Sequence, residues 1–208
     1  MIKMYNTTPG LNKNIFQKKS VTALFFLSLI TFGIYTAVWY IKRANEFKNL
    51  GTEKKLNKTL AVILLILTCI GLLAFIFMAY YFFSFFMQIF VTAVAGGTPN
   101  LQGVETINSM TYISNIVSIL TFIFYLILGF SVRGIINEFR HKKKIEIKVN
   151  GLLTFFFNFL YLQYEINRTI DGREYQKRIG PWVWLIILFL VPLLFSLIIL
   201  ISGLFLSI

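Results

Sequence analysis

The stretch Ser28 to Phe47, S-L-I-T-F-G-I-Y-T-A-V-W-Y-I-K-R-A-N-E-F, decides how this chain is read. It is apolar as far as the aromatic pair Trp39-Tyr40, changes character at Phe32-Gly33-Ile34, and passes at once into a basic, polar tail. Gly33 is a candidate turn, because glycine accepts backbone conformations that other residues resist. A helix from Ser20 to Thr31 would be about 18 Å long, roughly half a bilayer. Beyond Trp39, Ile41, Ala44, Phe47 and Leu50 recur at helical steps while Lys42, Arg43, Glu46 and Lys48 take other faces, the pattern of an interfacial helix. Lys42 and Glu46 stand four apart and can pair weakly. Gly51 is the expected stop.

Working outward, the whole chain has the composition of a membrane protein. Of its 208 residues 57% are hydrophobic and only 13% charged, with 23 Phe and 10 Tyr. Three apolar runs are long enough to cross a bilayer, which takes about 20 residues: Thr59–Val94, Met110–Val132 and Trp182–Ile208. The single cysteine, Cys69, lies inside the first of these and reads as a small packing residue. Val21–Ile41 lacks a small-residue cleavage site and reads as retained rather than as a signal peptide.

The net charge of +12 is less informative than its distribution. All Lys and Arg fall in Lys3–Lys19, Lys42–Lys58, Arg133–Lys148 and Arg168–Arg178, each beside an apolar run. That placement suits cytoplasmic loops and anionic lipid rather than nucleic acid. It also creates a conflict. If Val21–Ile41 crossed the membrane, the cations of Lys42–Lys58 would lie outside, against the positive-inside bias. Val149–Ile166, flanked by Arg133–Lys148 and Arg168–Arg178, poses the same difficulty. Both conflicts vanish if these two segments dip into the inner leaflet and return, or lie along it, and that reading is preferred to five plain spans.

The expected organisation follows. Residues 1–20 form a cytoplasmic N-terminus. Residues 21–97 form a first membrane half, with a re-entrant or interfacial segment over 21–41, a basic helix over 42–58 and a span from 59 to about Tyr80. Residues 98–108 form an external loop, preceded by the aromatic block Tyr80–Phe86 at the outer interface. Residues 109–208 form the second half: a span over 110–132, a basic loop over 133–148, a dipping segment over 149–166, a basic helix over 167–179 and a span over 182–208, kinked at Pro192. The fold class is therefore an all-α integral membrane protein with three transmembrane helices, two re-entrant or interfacial segments and a multi-pass topology.

A shift of about 122 residues sets Asn45 against Asn167, Trp39 against Tyr161 and Ala44 against Ile166, with Gly51 against Gly172 after a one-residue adjustment. This is a candidate internal repeat, each copy ordered as dip, basic polar helix, long span. Two copies in the same orientation are one of the ways transporters are built.

Thr31-Phe32-Gly33-Ile34-Tyr35, followed by Trp39-Tyr40 and then Asn45, resembles the T-x-G-I-Y…W-x-Y…N signature of a bacterial membrane family known as domain of unknown function 4234. The resemblance covers about Lys18 to Asn49 and implies a small bacterial membrane protein, with no activity attached. The second half departs from the signature, with Leu153 and Phe155 where its Thr and Gly would stand.

The search for chemistry yields little. The three spans contain no Asp, Glu, Lys, Arg or His, the groups that mark proton relays and ion pathways. His141 sits in the basic run Arg140-His141-Lys142-Lys143-Lys144 and reads as a solvated loop residue. Glu165 and Arg168, three apart, read as a helix pair. Ser28, Thr31, Ser84, Gln88, Asn115, Ser118 and Asn158 are polar residues in apolar surroundings, whose ordinary use is helix–helix hydrogen bonding. Asn158, in a Phe-rich stretch, is the least ordinary of them. No catalytic, metal or cofactor residue is assigned, and the motif candidates are Thr31, Gly33, Tyr35, Trp39, Tyr40, Asn45, Asn158 and Asn167. The expected function is that of a non-enzymatic accessory or structural protein. Its basic cytoplasmic face would contact membrane lipids or a membrane-protein partner, or the chain would form a homo-oligomer. The alternatives are a small conduit built from two parallel repeats and a membrane-perturbing or envelope-stress factor.

Overall fold

The computed structural model describes residues 17–97, 102–176 and 179–206. The expected N-terminal segment 1–20 therefore lies mostly outside the described residues, as does the start of the expected loop 98–108. The described residues form helices and connections without strands: α1 (Val21–Ile30), α2 (Ile34–Phe47), α3 (Lys58–Val94), α4 (Gln102–Lys142), α5 (Gly151–Ile170) and α6 (Ile179–Leu206).

Helix α1 starts where the Ser20 hydroxyl accepts the Ala23 N–H, at 3.3 Å. It ends at Thr31, and the chain then reverses through two left-handed residues, Phe32 at φ 49° and Gly33 at φ 86°. Helix α2 runs back along α1. The Arg43 guanidinium donates to the Gln17 carbonyl at 3.0 Å, so the end of the return limb lies beside the start of the outgoing one. The tip of this helical hairpin, Leu29, Ile30 and Phe32, is apolar and exposed. Helix α2 buries Thr36, Ala37, Trp39, Tyr40, Arg43, Ala44 and Phe47, a single stripe at helical spacing.

The basic helix expected over 42–58 is much shorter. It ends at Phe47, extends by a 3-10 turn over Lys48–Leu50, and stops at Gly51 with φ 64°. The next residues are held extended because the Glu138 carboxylate accepts the N–H groups of Glu53 and Lys54 at 2.5 and 3.0 Å. Asn57 then caps α3, accepting from Thr59 and Leu60.

Helix α3 runs 37 residues, about 55 Å, and so continues well past Tyr80, where the crossing is expected to end. No proline or charge interrupts 59–94, and the helix ends only before Gly96, at φ 70°. Helix α4 continues to Lys142, so more than half of the basic loop expected over 133–148 is helical. The reason is a buried stripe, Val132, Ile135, Ile136, Phe139 and Arg140, that packs this end against the rest of the fold. Helices α3 and α4 are long and apolar enough to cross a membrane. Only 11% of each apolar window is buried, whereas the core helix of a soluble protein would be mostly covered.

Helix α5 covers most of the expected dip over 149–166 and the start of the basic helix expected over 167–179, which ends instead at Ile170 before Gly172 (φ 66°). It is two limbs. At Asn158 (φ 39°, ψ −117°) the chain turns sharply, and the Asn150 N–H reaches the Tyr161 hydroxyl at 3.1 Å. Phe155 stacks edge-on against Phe122 of α4, while Glu165 is back beside Arg140. The first limb thus runs against the direction of α4 and the second returns along it. Helix α6 carries Pro192 within it and packs through Leu185 and Phe189, the latter on Phe156.

Candidate functional site

The ends of both hairpins meet in one polar layer, built on residues that the core would otherwise exclude. Arg43 is fully buried, yet its guanidinium has partners on several sides: the Glu46 carboxylate, the Gln17 carbonyl and Gln163 Oε1, at 2.6 Å. Trp39 Nε1 donates to the same oxygen at 2.9 Å, and the Arg43 guanidinium stands 5.7 Å from the Trp39 ring. Indole and guanidinium only donate, so the Gln163 oxygen must face them and its amino group must face away. That group donates to Asn167 Oδ1 at 2.8 Å, and Asn167 Nδ2 donates to the Lys19 carbonyl at 2.7 Å. Asn167 Oδ1 also accepts the Lys19 N–H, at 3.3 Å. Donor and acceptor directions are fixed along the whole chain, which latches the entry to α1 onto the second limb of α5. Burial pushes the Arg43 guanidinium down from its ordinary value, against the pull of Glu46.

Beside this latch lies a buried ion pair, Arg140–Glu165 at 2.8 Å, with Arg140 also donating to the Thr169 hydroxyl at 3.0 Å. The Glu165 carboxylate is thus bound across helices by α4, not only placed near its expected partner Arg168. Arg168 donates to the Tyr164 hydroxyl and to the carbonyls of Glu174 and Gln176, folding the segment after α5 around itself. Likewise the ion pair of Glu46 is with Arg43 rather than with the expected Lys42. At the rim, Asp171 takes both Lys18 and Arg173, at 2.9 and 2.6 Å. The Lys18 hydrogen bond, helped by Arg173, holds the Asp171 carboxyl below its usual range.

Deeper in the fold, Asn158 closes the second hairpin. Its oxygen accepts from the Tyr40 hydroxyl and its Nδ2 donates to the Tyr125 carbonyl at 3.0 Å. The carboxamide sits over Gly129, where a Cβ would come within 2.6 Å of Nδ2. The corresponding position of the first hairpin is served by Thr31, whose hydroxyl donates to the Leu27 carbonyl at 2.7 Å and accepts the Tyr35 N–H at 3.0 Å, joining the two limbs across the turn.

The eight motif candidates are therefore distributed. Thr31, Gly33 and Tyr35 form the first turn, Trp39 and Asn167 belong to the latch, and Tyr40 and Asn158 join in the core. Asn45 is exposed on α2 and stands apart from them. Arg43, Arg140, Gln163, Glu165 and Gly129 were not singled out by local pattern as members of a site. Only the short polar interruption of an apolar run, at Gln163 and Glu165, could have drawn attention to them.

Two cavities flank this framework. One, of about 510 Å³, lies between the α1–α2 tip, α3 and α4, and Ser28, Thr36, Thr68, Ser118 and Thr121 are among its lining residues. Ser28 and Thr36 share a hydrogen bond of 2.9 Å there. The other, of about 420 Å³, is an aromatic groove between α1, α5 and α6.

Residues 19–90 match the model of a family described as Domain of unknown function (DUF4234), in agreement with the motif over Thr31–Asn45. The match spans α1, α2 and nearly all of α3, and ends before α4 and Asn158. No curated protein and no solved structure matches the chain.

Proposed function

We propose that this protein, which carries the DUF4234 domain over residues 19–90, is a non-enzymatic accessory component of a bacterial cell membrane. Helices α3, α4 and α6 cross the bilayer, and the α1–α2 and α5 hairpins enter it from the cytoplasmic side and return. The observation behind this reading is the return of both hairpins to one layer of buried arginines, glutamate and amides, with their apolar tips directed away from it. Every described Lys and Arg lies at or near that layer's end of the helices, as cytoplasmic segments require. Its basic face contacts anionic lipid or a membrane-protein partner.

Extraction in a mild detergent, followed by identification of what co-purifies, tests the accessory role. A stoichiometric membrane-protein partner is expected. Recovery of this chain alone, from cells expressing it at native level, would sink it and bring forward a second reading, a conduit made of two parallel repeats. Support for that alternative comes from the left-handed glycines Gly51 and Gly172, which close the return limbs of the two hairpins at similar φ of 64° and 66°.

A further inference from the structure

We propose that the groove between α1, α5 and α6 is a binding site for one anionic glycerophospholipid, its acyl chain in the groove and its phosphate on Lys18 and Arg173. This rests on the membrane placement given above and names the lipid that the basic face selects.

The groove has the chemistry of an acyl-chain site. Its walls are Phe25 and Phe26 of α1, Phe157 and Leu160 of α5, and Trp184 of α6. Its volume of about 420 Å³ falls within the roughly 300–1,000 Å³ of ordinary ligand pockets. Aromatic walls lose nothing by meeting a hydrocarbon chain, and Trp is at home where one end is apolar and the other wet.

The groove itself carries no charged residue, and the cations stand beyond one end of it. Val21 and Thr22, in the first turn of α1, line it, and so do Gly180 and Pro181 in the first turn of α6. Two helix N-termini, the positive ends of their dipoles, therefore converge on the same end. Lys18 lies four residues before Thr22 and is tied to Asp171, which also holds Arg173. Two cations on one carboxylate leave a positive excess, and both side chains are more than half exposed. A phosphodiester can take the outward N–H groups of Lys18 and Arg173 without displacing Asp171. A zwitterionic lipid would bring its own cation to this cationic rim.

The test uses the full-length protein in detergent, stripped of lipid, with bound lipid counted by native mass spectrometry. Phosphatidylglycerol should bind at a concentration roughly tenfold lower than phosphatidylcholine of the same chains, the preference expected of one or two cations near a headgroup. Lys18→Gln with Arg173→Gln should remove that preference, while Lys54→Gln with Lys142→Gln, beside Glu138 and Gly51 and outside the groove's lining, should keep it. Thr22→Trp leaves the ion pairs intact, fills the groove and should abolish the first tight binding event. Equal binding of the two lipids, or an unchanged count in the Thr22→Trp protein with its native melting profile, would overturn the site. Because the lipid count is read on the isolated chain, its failure is distinct from failure to recover a partner on co-purification.

Discussion

The Asn158 carboxamide occupies the space that a side chain at Gly129 would need: a Cβ on Gly129 would meet Nδ2 at 2.6 Å and Oδ1 at 2.7 Å. The turn of the second hairpin and the bare patch on α4 are therefore one feature. Gly129→Ala should push Asn158 out of its bonds to Tyr40 and Tyr125 and destabilise the fold by about 1–3 kcal/mol, the usual cost of overpacking. Gly71→Ala, whose Cβ would find only Val117 at 3.7 Å, is the matched control and should be near neutral. Thermal unfolding in detergent, followed by size-exclusion recovery, reads the difference; equal recovery of the two variants would refute the coupling.

Gly33 is required for a different reason, its φ of 86°. A Cβ would fit there, since Thr68 stands 3.6 Å away, so the cost is conformational alone. Gly33→Ala should lose about 1–2 kcal/mol, and Gly33→Asn should lose less, because Asn tolerates the left-handed region. An Asn variant no better than Ala would mean that the turn is not held in this conformation.

The Arg140–Glu165 pair should behave as a buried pair does. Arg140→Met alone leaves a carboxylate in the core and should cost about 3–5 kcal/mol, while Arg140→Met with Glu165→Leu should recover most of it. Failure of the second change to restore stability would show that the arginine matters through its bond to Thr169 or the Ile147 carbonyl instead.

Asp171 supplies a pH dependence. Its carboxyl is held below the ordinary range by Lys18 and Arg173, so it binds fewer protons folded than unfolded at mildly acidic pH. Its stabilising contribution is complete above the unfolded carboxylate pKa and is lost as pH falls through the folded one. The melting temperatures of the native protein and of Asp171→Asn should differ at neutral pH and converge in acid below the carboxylate range. A difference that persists there would assign the effect to something other than charge.

Topology can be read by chemistry in intact cells. Cysteines at Thr52 and Gln176, in a Cys69→Ala background, should both be shielded from an impermeant thiol reagent. Labelling at Thr52 would mean that α1 and α2 together cross the membrane.

The sequence made some of this legible and hid the rest for identifiable reasons. The apolar character of α3 and α4, the break at Gly33 and the stop at Gly51 are local properties and could be read directly. The end of α3 is local too: the aromatic block around Tyr80 and Phe82 does not interrupt the helix, which stops only before Gly96. Arg140 belongs by sequence to the basic run with His141 and Lys142, yet its partner is Glu165, supplied by another helix. The turn at Asn158 depends on Tyr40 and Gly129, both distant in the chain, so no window around the residue contains its cause.

The two hairpin turns, the exposed apolar one at Leu29, Ile30 and Phe32 and the one closed by Asn158, have a mechanical consequence. Both hairpins start and finish at the same polar layer, so in the membrane placement proposed above they would add cross-section to only one half of the bilayer. The opposite half meets only the long helices. A molecule so placed would have a preferred curvature: it would fit best where the membrane is convex toward its charged side, and it should gather there when vesicles of different radius compete for it.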